Sequence, residues 1–176
     1  MIKIIKRRTM KTTRILILLF FAQLIIFTPI LLANGKATDT VSSQVRCAVC
    51  GMFVAKYPSW LAQIHYDDLG QTRFFDGVKD MMVFYFDPER YEGAPREAIK
   101  NIYVKDYYSL NWLSAKDAFY VVGSDVYGPM GHELIPFESK DAAESFSKDH
   151  HGKEILTFGE ITPGLIDSLR LGQRMR

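Results

Sequence analysis

The N-terminal 37 residues constrain this chain most, because they read as a segment that takes no part in the fold. Lys3, Lys6, Arg7, Arg8, Lys11 and Arg14 lead into Ile15–Ala33, a run that is almost wholly apolar and interrupted only by Gln23, Thr28 and Pro29. A charged flank before such a run is the pattern of an export signal. The run is also close to the roughly 20 residues a helix needs to cross a bilayer, so an uncleaved N-terminal membrane anchor is the alternative. In both cases the basic flank stays in the cytoplasm and the remainder faces outward, which makes the periplasm the expected location. No cysteine stands near the end of the apolar run, so the chain is expected not to be a lipoprotein. Residues 1–37 are assigned to the signal or anchor. Residues 38–176 are assigned to the folded part, enough for one compact domain or two small fused repeats.

The formal charge of +2 over the whole chain hides an acidic domain. All 20 acidic residues but only 15 of the 22 basic ones fall in residues 38–176, a formal charge of −5. Phosphates would repel such a domain, so no nucleic-acid partner is expected.

Along the domain, Phe53–Tyr57 is rich in β-favouring residues. Ala62–Asp67 alternates Ile64 and Tyr66 with Gln63 and His65, as a strand does, with His65 taken as an exposed strand residue. Asp67-Asp68-Leu69-Gly70 reads as a turn and Thr72–Phe75 as the returning strand. Asp76 is the expected N-cap of a helix over Gly77–Phe86, which Pro88 ends and in which Met81 fills core space. Ile102–Tyr107 and Ala118–Val122 read as strands. The segment Gly123–Gly131, with three glycines and a proline, reads as a loop. His132–Phe137 follows as a strand, and Ser139–His151 as a helix with Ser139 as N-cap and Gly152 beyond its end. Lys153–Phe158 is the last strand, and Pro163 opens a short C-terminal helix.

The halves resemble each other. Phe74-Phe75-Asp76-Gly77-Val78-Lys79-Asp80 parallels Pro136-Phe137-Glu138-Ser139-Lys140-Asp141, each a strand ending in Phe, a cap and a helix start. The expected fold is therefore α+β, a duplicated ββαβ unit with small antiparallel sheets and halves at roughly 46–110 and 111–160.

Cys47 and Cys50 are the only cysteines. Two residues apart in an exported chain, they fit a small structural disulfide, a thioredoxin-like redox pair or part of a metal site. The redox motif expects a helix after the pair, whereas Gly51 and a β-rich run follow. Zinc wants four ligands, and no second CxxC completes them. Met52 points elsewhere: thiolate and thioether sulfurs are soft donors that favour Cu(I). A second methionine, Met130, sits between glycines in Gly128-Pro129-Met130-Gly131-His132. In an extended segment His132 would face the same side as Met130.

Three motifs taken in order, Cys47-Ala-Val-Cys50-Gly-Met52, Phe74-Phe-Asp-Gly-Val-Lys-Asp-Met81 and Gly123-Ser-Asp-Val-Tyr-Gly-Pro-Met-Gly-His-Glu-Leu-Ile-Pro-Phe137, resemble the NosL family of nitrous oxide reductase accessory proteins. The resemblance runs from about Arg46 to Phe158. It implies an extracytoplasmic Cu(I)-binding protein of duplicated ββαβ fold that is not an enzyme. It further implies delivery of copper for the copper–sulfide centre of nitrous oxide reductase, together with a membrane ABC-type maturation complex. Carried over motif by motif, Cys47, Met52 and Met130 are the sulfur donors, His132 a nitrogen donor, and Cys50 the fifth candidate. The rival functions are a CxxC thiol-disulfide oxidoreductase, for which the methionines are dispensable, and a structural subunit of an envelope complex, which takes up no Cu(I).

Overall fold

The structure, a computed structural model, describes residues 36–66 and 71–172. The leader up to residue 35 and the expected turn at 67–70 lie outside the described residues. Among those described, no helix is long and apolar enough to cross a membrane.

Two antiparallel sheets carry the fold. In the first, β1 (Ala62–Tyr66) lies between β2 (Thr72–Phe75) and β3 (Ile99–Lys105), and β4 (Trp112–Ser114) extends the sheet beyond β3. Ile64 stands opposite Arg73 on one side and Ile102 on the other. Every residue of β1 is buried, as expected of a central strand whose two faces are both covered. His65 is therefore not the exposed strand residue its alternation suggests. It is buried, with Nε2 2.9 Å from Gln63 Oε1 and its ring edge-on to Tyr103. Gln63 in turn holds Thr38 through paired hydrogen bonds, tying the start of the domain to β1.

The second sheet has β5 (Phe119–Val122) between β8 (Ile135–Phe137) and β9 (Glu154–Thr157). Helix α1 (Val78–Phe86) follows β2, and helix α2 (Lys140–Asp149) follows β8. Around the first sheet β1, β2, α1 and β3 follow in that order, and around the second β5, β8, α2 and β9 do, with a short two-stranded hairpin between β5 and β8. Strands β1 and β5 are each central and antiparallel to both neighbours. The architecture is α+β with small antiparallel sheets.

Successive side chains of β5 point to opposite faces, and its burial follows that rule. Val121 joins Ile135, Phe137, Ala143 and Phe146 in the small core under α2. Tyr120 and Val122 join the large core, which also takes Ile64, Phe75, Met81, Phe84 and Val104 from the first half. Each fully buried large side chain contributes on the order of 2–3 kcal/mol. Met81 is fully buried there, as its position in the helix repeat implies. The C-terminal helix α3 (Pro163–Arg170) packs on α1. Its first residue is Pro163, and the Thr162 side chain caps it by accepting from Leu165 N–H.

Two segments depart from the sequence pattern. Val54–Lys56 and Pro58–Trp60 form single 3-10 turns where Phe53–Tyr57 looked β-rich. The segment from Gly123 to Phe137 is not a loop followed by one long strand. It holds a tight hairpin, β6 (Tyr127–Gly128) with β7 (Gly131–His132), and the chain then breaks at Glu133 and Leu134 before β8.

Candidate metal centre

The Cys47–Met52 segment closes on itself. Cys47 N–H donates to Met52 O at 2.7 Å, and Gly51 N–H donates to Cys47 O at 3.0 Å. Gly51 has φ 75°, a left-handed backbone that a side chain would strain. Outside the loop, Arg46 pairs with Phe53, stacks its guanidinium on that ring at 3.9 Å and donates to Gly51 O. Ala48 N–H donates to Phe74 O, which pins the loop to β2. No helix begins at the cysteines, in contrast to a thioredoxin-like motif.

The helix start that faces them belongs to α1. Cys47 and Cys50 are free thiols, and their sulfurs lie with one carboxylate oxygen each of Asp76 and Asp80 in a group of four atoms, all within 4.8 Å of one another. Cys50 Sγ–H donates to Asp76 Oδ1 at 3.3 Å and Cys47 Sγ–H to Asp80 Oδ2 at 3.6 Å. Burial pushes the Cys47 thiol up to about 12, with the Asp76 carboxylate adding to the rise. The Cys50 thiol is also raised, first by burial and then by the neighbouring Asp80 carboxylate. Burial likewise raises the Asp80 carboxyl. A helix N-terminus favours nearby anions, but here desolvation outweighs it. The resting site therefore holds its thiols protonated, and a metal ion must displace those protons.

Asp76 does not cap α1. The N-cap is Gly77, without a side-chain hydrogen bond, and Asp76 turns its carboxylate to Cys50 instead. Its other oxygen, Oδ2, is buried without a hydrogen-bond partner. The cap is supplied from the other half of the chain: Glu133 Oε1 accepts from Lys79 N–H at 2.5 Å and from Leu134 N–H at 3.0 Å. Burial lifts the Glu133 carboxyl to about 8.

The third motif arrives at the same helix start. Met130 is at the tip of the β6–β7 hairpin, 47% exposed, between Pro129 and Gly131. Pro129 occupies the turn corner it favours, and Gly131 has φ 88°. His132 is half-buried, with its ring 4.9 Å from that of Tyr127. Met52 is half-buried in the cysteine loop. The structure thus places Cys47, Cys50 and Met52 in one loop, brings both thiols onto the start of α1, and hangs the hairpin carrying Met130 and His132 from the same first turn of that helix through Lys79 and Glu133.

Sequence patterns missed Asp76, Asp80, Lys79 and Glu133. The available signal was the spacing of Asp76 and Asp80: four residues apart across a helix start, they fall on one face. The donor set suits a soft metal, since two thiols are the strongest soft ligands a protein offers. A cavity of about 150 Å³ between α1 and α3, bordered by Val83, Arg90, Ile166 and Arg170, is lined by none of these groups.

The family model described as NosL matches residues 38–166. A protein of Achromobacter cycloclastes named copper-binding lipoprotein NosL is 34% identical, the match covering 66% of this chain and 63% of that protein. Its namesake in Stutzerimonas stutzeri is 28% identical, covering 68% of this chain and 63% of its own length. The chain thus spans a little under two thirds of the curated relatives it matches. Both relatives are named lipoproteins, at odds with the expectation that this chain is not one. The crystal structure of the copper chaperone NosL from Shewanella denitrificans superposes with a TM-score of 0.64 at 27% identity, covering 74% of this chain and 99% of that one. With its family model spanning both sulfur-bearing motifs and the helix between them, the chain belongs to the NosL family.

Proposed function

We propose that this chain is an exported copper(I) carrier that binds one Cu(I) at the Cys47–Cys50 pair and hands it on for assembly of the copper–sulfide centre of nitrous oxide reductase. The observation that carries the proposal is the pair of free thiols facing the start of α1, with the exposed Met130 on a hairpin fastened to that same helix. The relatives named as copper-binding proteins and as a copper chaperone support it.

The expected chemistry is ligand exchange. Cys47, buried at 3% exposure, is the anchoring thiolate, and Cys50, less buried, is the second. Met130, with or without His132 and Met52, supplies a neutral donor that an incoming ligand can displace from the solvent side. Cu(I) is favoured over harder ions because thiolate and thioether sulfurs are soft donors. The acceptor is nitrous oxide reductase or its membrane ABC-type maturation complex, and the basic-apolar pattern of residues 3–33 supports a carrier on the same side of the membrane. Asp76 and Asp80 favour a second assignment, a divalent ion such as zinc held by two sulfurs and two carboxylates.

Transfer separates the two. The Cu(I)-loaded chain, mixed anaerobically with metal-free acceptor complex, should lose its copper to the acceptor. A zinc-loaded chain should not activate the reductase. Retention of Cu(I) in the presence of the complete maturation complex would contradict delivery.

A further inference from the structure

A buried cation ties the hairpin that carries Met130 to the helix start that faces the thiols. Lys79 is 2% exposed, in the first turn of α1, one residue before Asp80. Lysine is almost never buried to this degree without partners, because desolvating an ammonium is costly. Its Nζ donates to Met130 O and to His132 O, each at 2.7 Å. Both acceptors are backbone carbonyls of the hairpin.

That hairpin's own pairing is short, although α3 also lies against β7. β6 and β7 pair through two residues each, and a two-stranded hairpin is marginal in water even when longer. Its second attachment is Glu133, whose carboxylate receives the backbone N–H of the same Lys79. The space for that carboxylate exists only because two positions lack a Cβ. A Cβ on Gly77 would stand 2.3 Å from Glu133 Oε2, and one on Gly128 would stand 3.0 Å from Glu133 Cγ. Lys79 and Glu133 therefore form a two-point clamp between the hairpin and the helix start that faces the thiols.

We infer that Lys79 is a positioning residue of the metal centre: it touches no ligand atom, yet it sets where Met130 and His132 stand relative to Cys47 and Cys50. The inference rests on the copper assignment above and deepens it. Because the clamp grips backbone carbonyls, it fixes the hairpin while leaving the Met130 side chain free to meet the metal or an acceptor.

The test uses the full chain with two readouts. The first is amide hydrogen exchange of the metal-free protein. Lys79→Met should speed exchange of the Tyr127–His132 amides by about tenfold or more while those of α2 and β9 stay as in the wild type. Lys79→Arg, which keeps a donor cation, should restore much of the protection. If Lys79→Met does not fold, Lys79→Gln is read in the same way.

The second readout is Cu(I) affinity against a competing chelator. Lys79→Met should weaken binding by about 10- to 100-fold, the usual effect of losing a group that orients a ligand. Adding Met130→Leu to Lys79→Met should then cost little more, because the first change already removes that donor from its place. Unchanged hairpin exchange overturns the clamp. Additive losses, or wild-type affinity in Lys79→Met when Met130→Leu alone weakens binding, overturn the positioning role. A wild-type chain that takes up no Cu(I) would instead sink the copper assignment, an outcome separate from both.

Discussion

The Cys50 thiol donates to Asp76 Oδ1 at 3.3 Å, across 26 residues of sequence, and this contact turns a CxxC loop into a buried thiol–carboxylate centre. A carboxylate beside a thiol opposes the second negative charge that ionisation would create. Asp76→Asn should therefore lower the pH at which Cys47 becomes a thiolate by about one unit, against the value near 12 that burial and Asp76 together set. The pH profile of alkylation by iodoacetamide reports this directly. An unchanged profile would mean that burial alone holds the thiol protonated.

The raised thiols also fix the sign of the pH dependence of metal uptake. Below about pH 12 the bound ion must expel the Cys47 proton, so Cu(I) affinity should rise with pH across the neutral range. One displaced proton gives about a tenfold gain per pH unit, and two give about a hundredfold. The slope thus counts thiolate ligands, and a value near two assigns Cys50 as well as Cys47. Chelator competition between pH 6 and 8 supplies it.

Glu133 makes the metal-free fold sensitive to pH in the opposite sense from a surface acid. Its carboxyl is raised from 4.5 to about 8, so between those values the unfolded chain is ionised while the native chain still holds its proton. That contribution to stability is complete below pH 4.5 and is lost as pH rises toward 8, at up to roughly 1.4 kcal/mol per pH unit. Glu133→Gln keeps an acceptor for Lys79 N–H and cannot ionise, so its stability relative to wild type should climb from pH 5 to pH 8 in urea melts. His65, whose buried ring titrates lower than usual, acts in the opposite direction, but it is common to both proteins and cancels in the difference. A constant difference would show that Glu133 is ionised throughout.

Gly77 tests the geometry of the same junction. Gly77→Ala should lower stability by about 1–3 kcal/mol, the usual effect of forcing an atom into filled space, because its Cβ would meet Glu133 Oε2 at 2.3 Å. Gly159→Ala, with no heavy atom within 4 Å of its Cβ, is the control and should change little. Equal denaturation midpoints would mean that the Glu133 carboxylate moves aside freely.

Where local pattern and local structure coincide, the sequence was readable. Ser139 caps α2 by accepting from Ala142 N–H, and Thr162-Pro163 opens α3, each through contacts within three residues. The strands β1, β2, β5 and β9 follow from alternation and bounding turns. Asp76 looked like the same kind of cap as Ser139, and it is not, because its carboxylate is claimed by Cys50 while the cap of α1 comes from Glu133, 54 residues away from Lys79. No periodicity carries a contact of that range. The split of His132–Phe137 into two short strands has the same origin, since Glu133 leaves the strand to bury its carboxylate at the helix start. The two cysteines stand out in the sequence as a CxxC pair, whereas the carboxylates that face them and the buried lysine under the hairpin emerge only from tertiary packing.

Anaerobic Cu(I) titration of the full chain against a competing chelator tests the central claim most directly. The account predicts one tightly held Cu(I) per chain, a loss of a hundredfold or more in Cys47→Ser, and about a tenfold loss in Met130→Leu. Met130→Leu should leave the fold as stable as before, because the side chain is 47% exposed. Stoichiometric uptake that survives Cys47→Ser unchanged, or no uptake at all under reducing conditions, would contradict it.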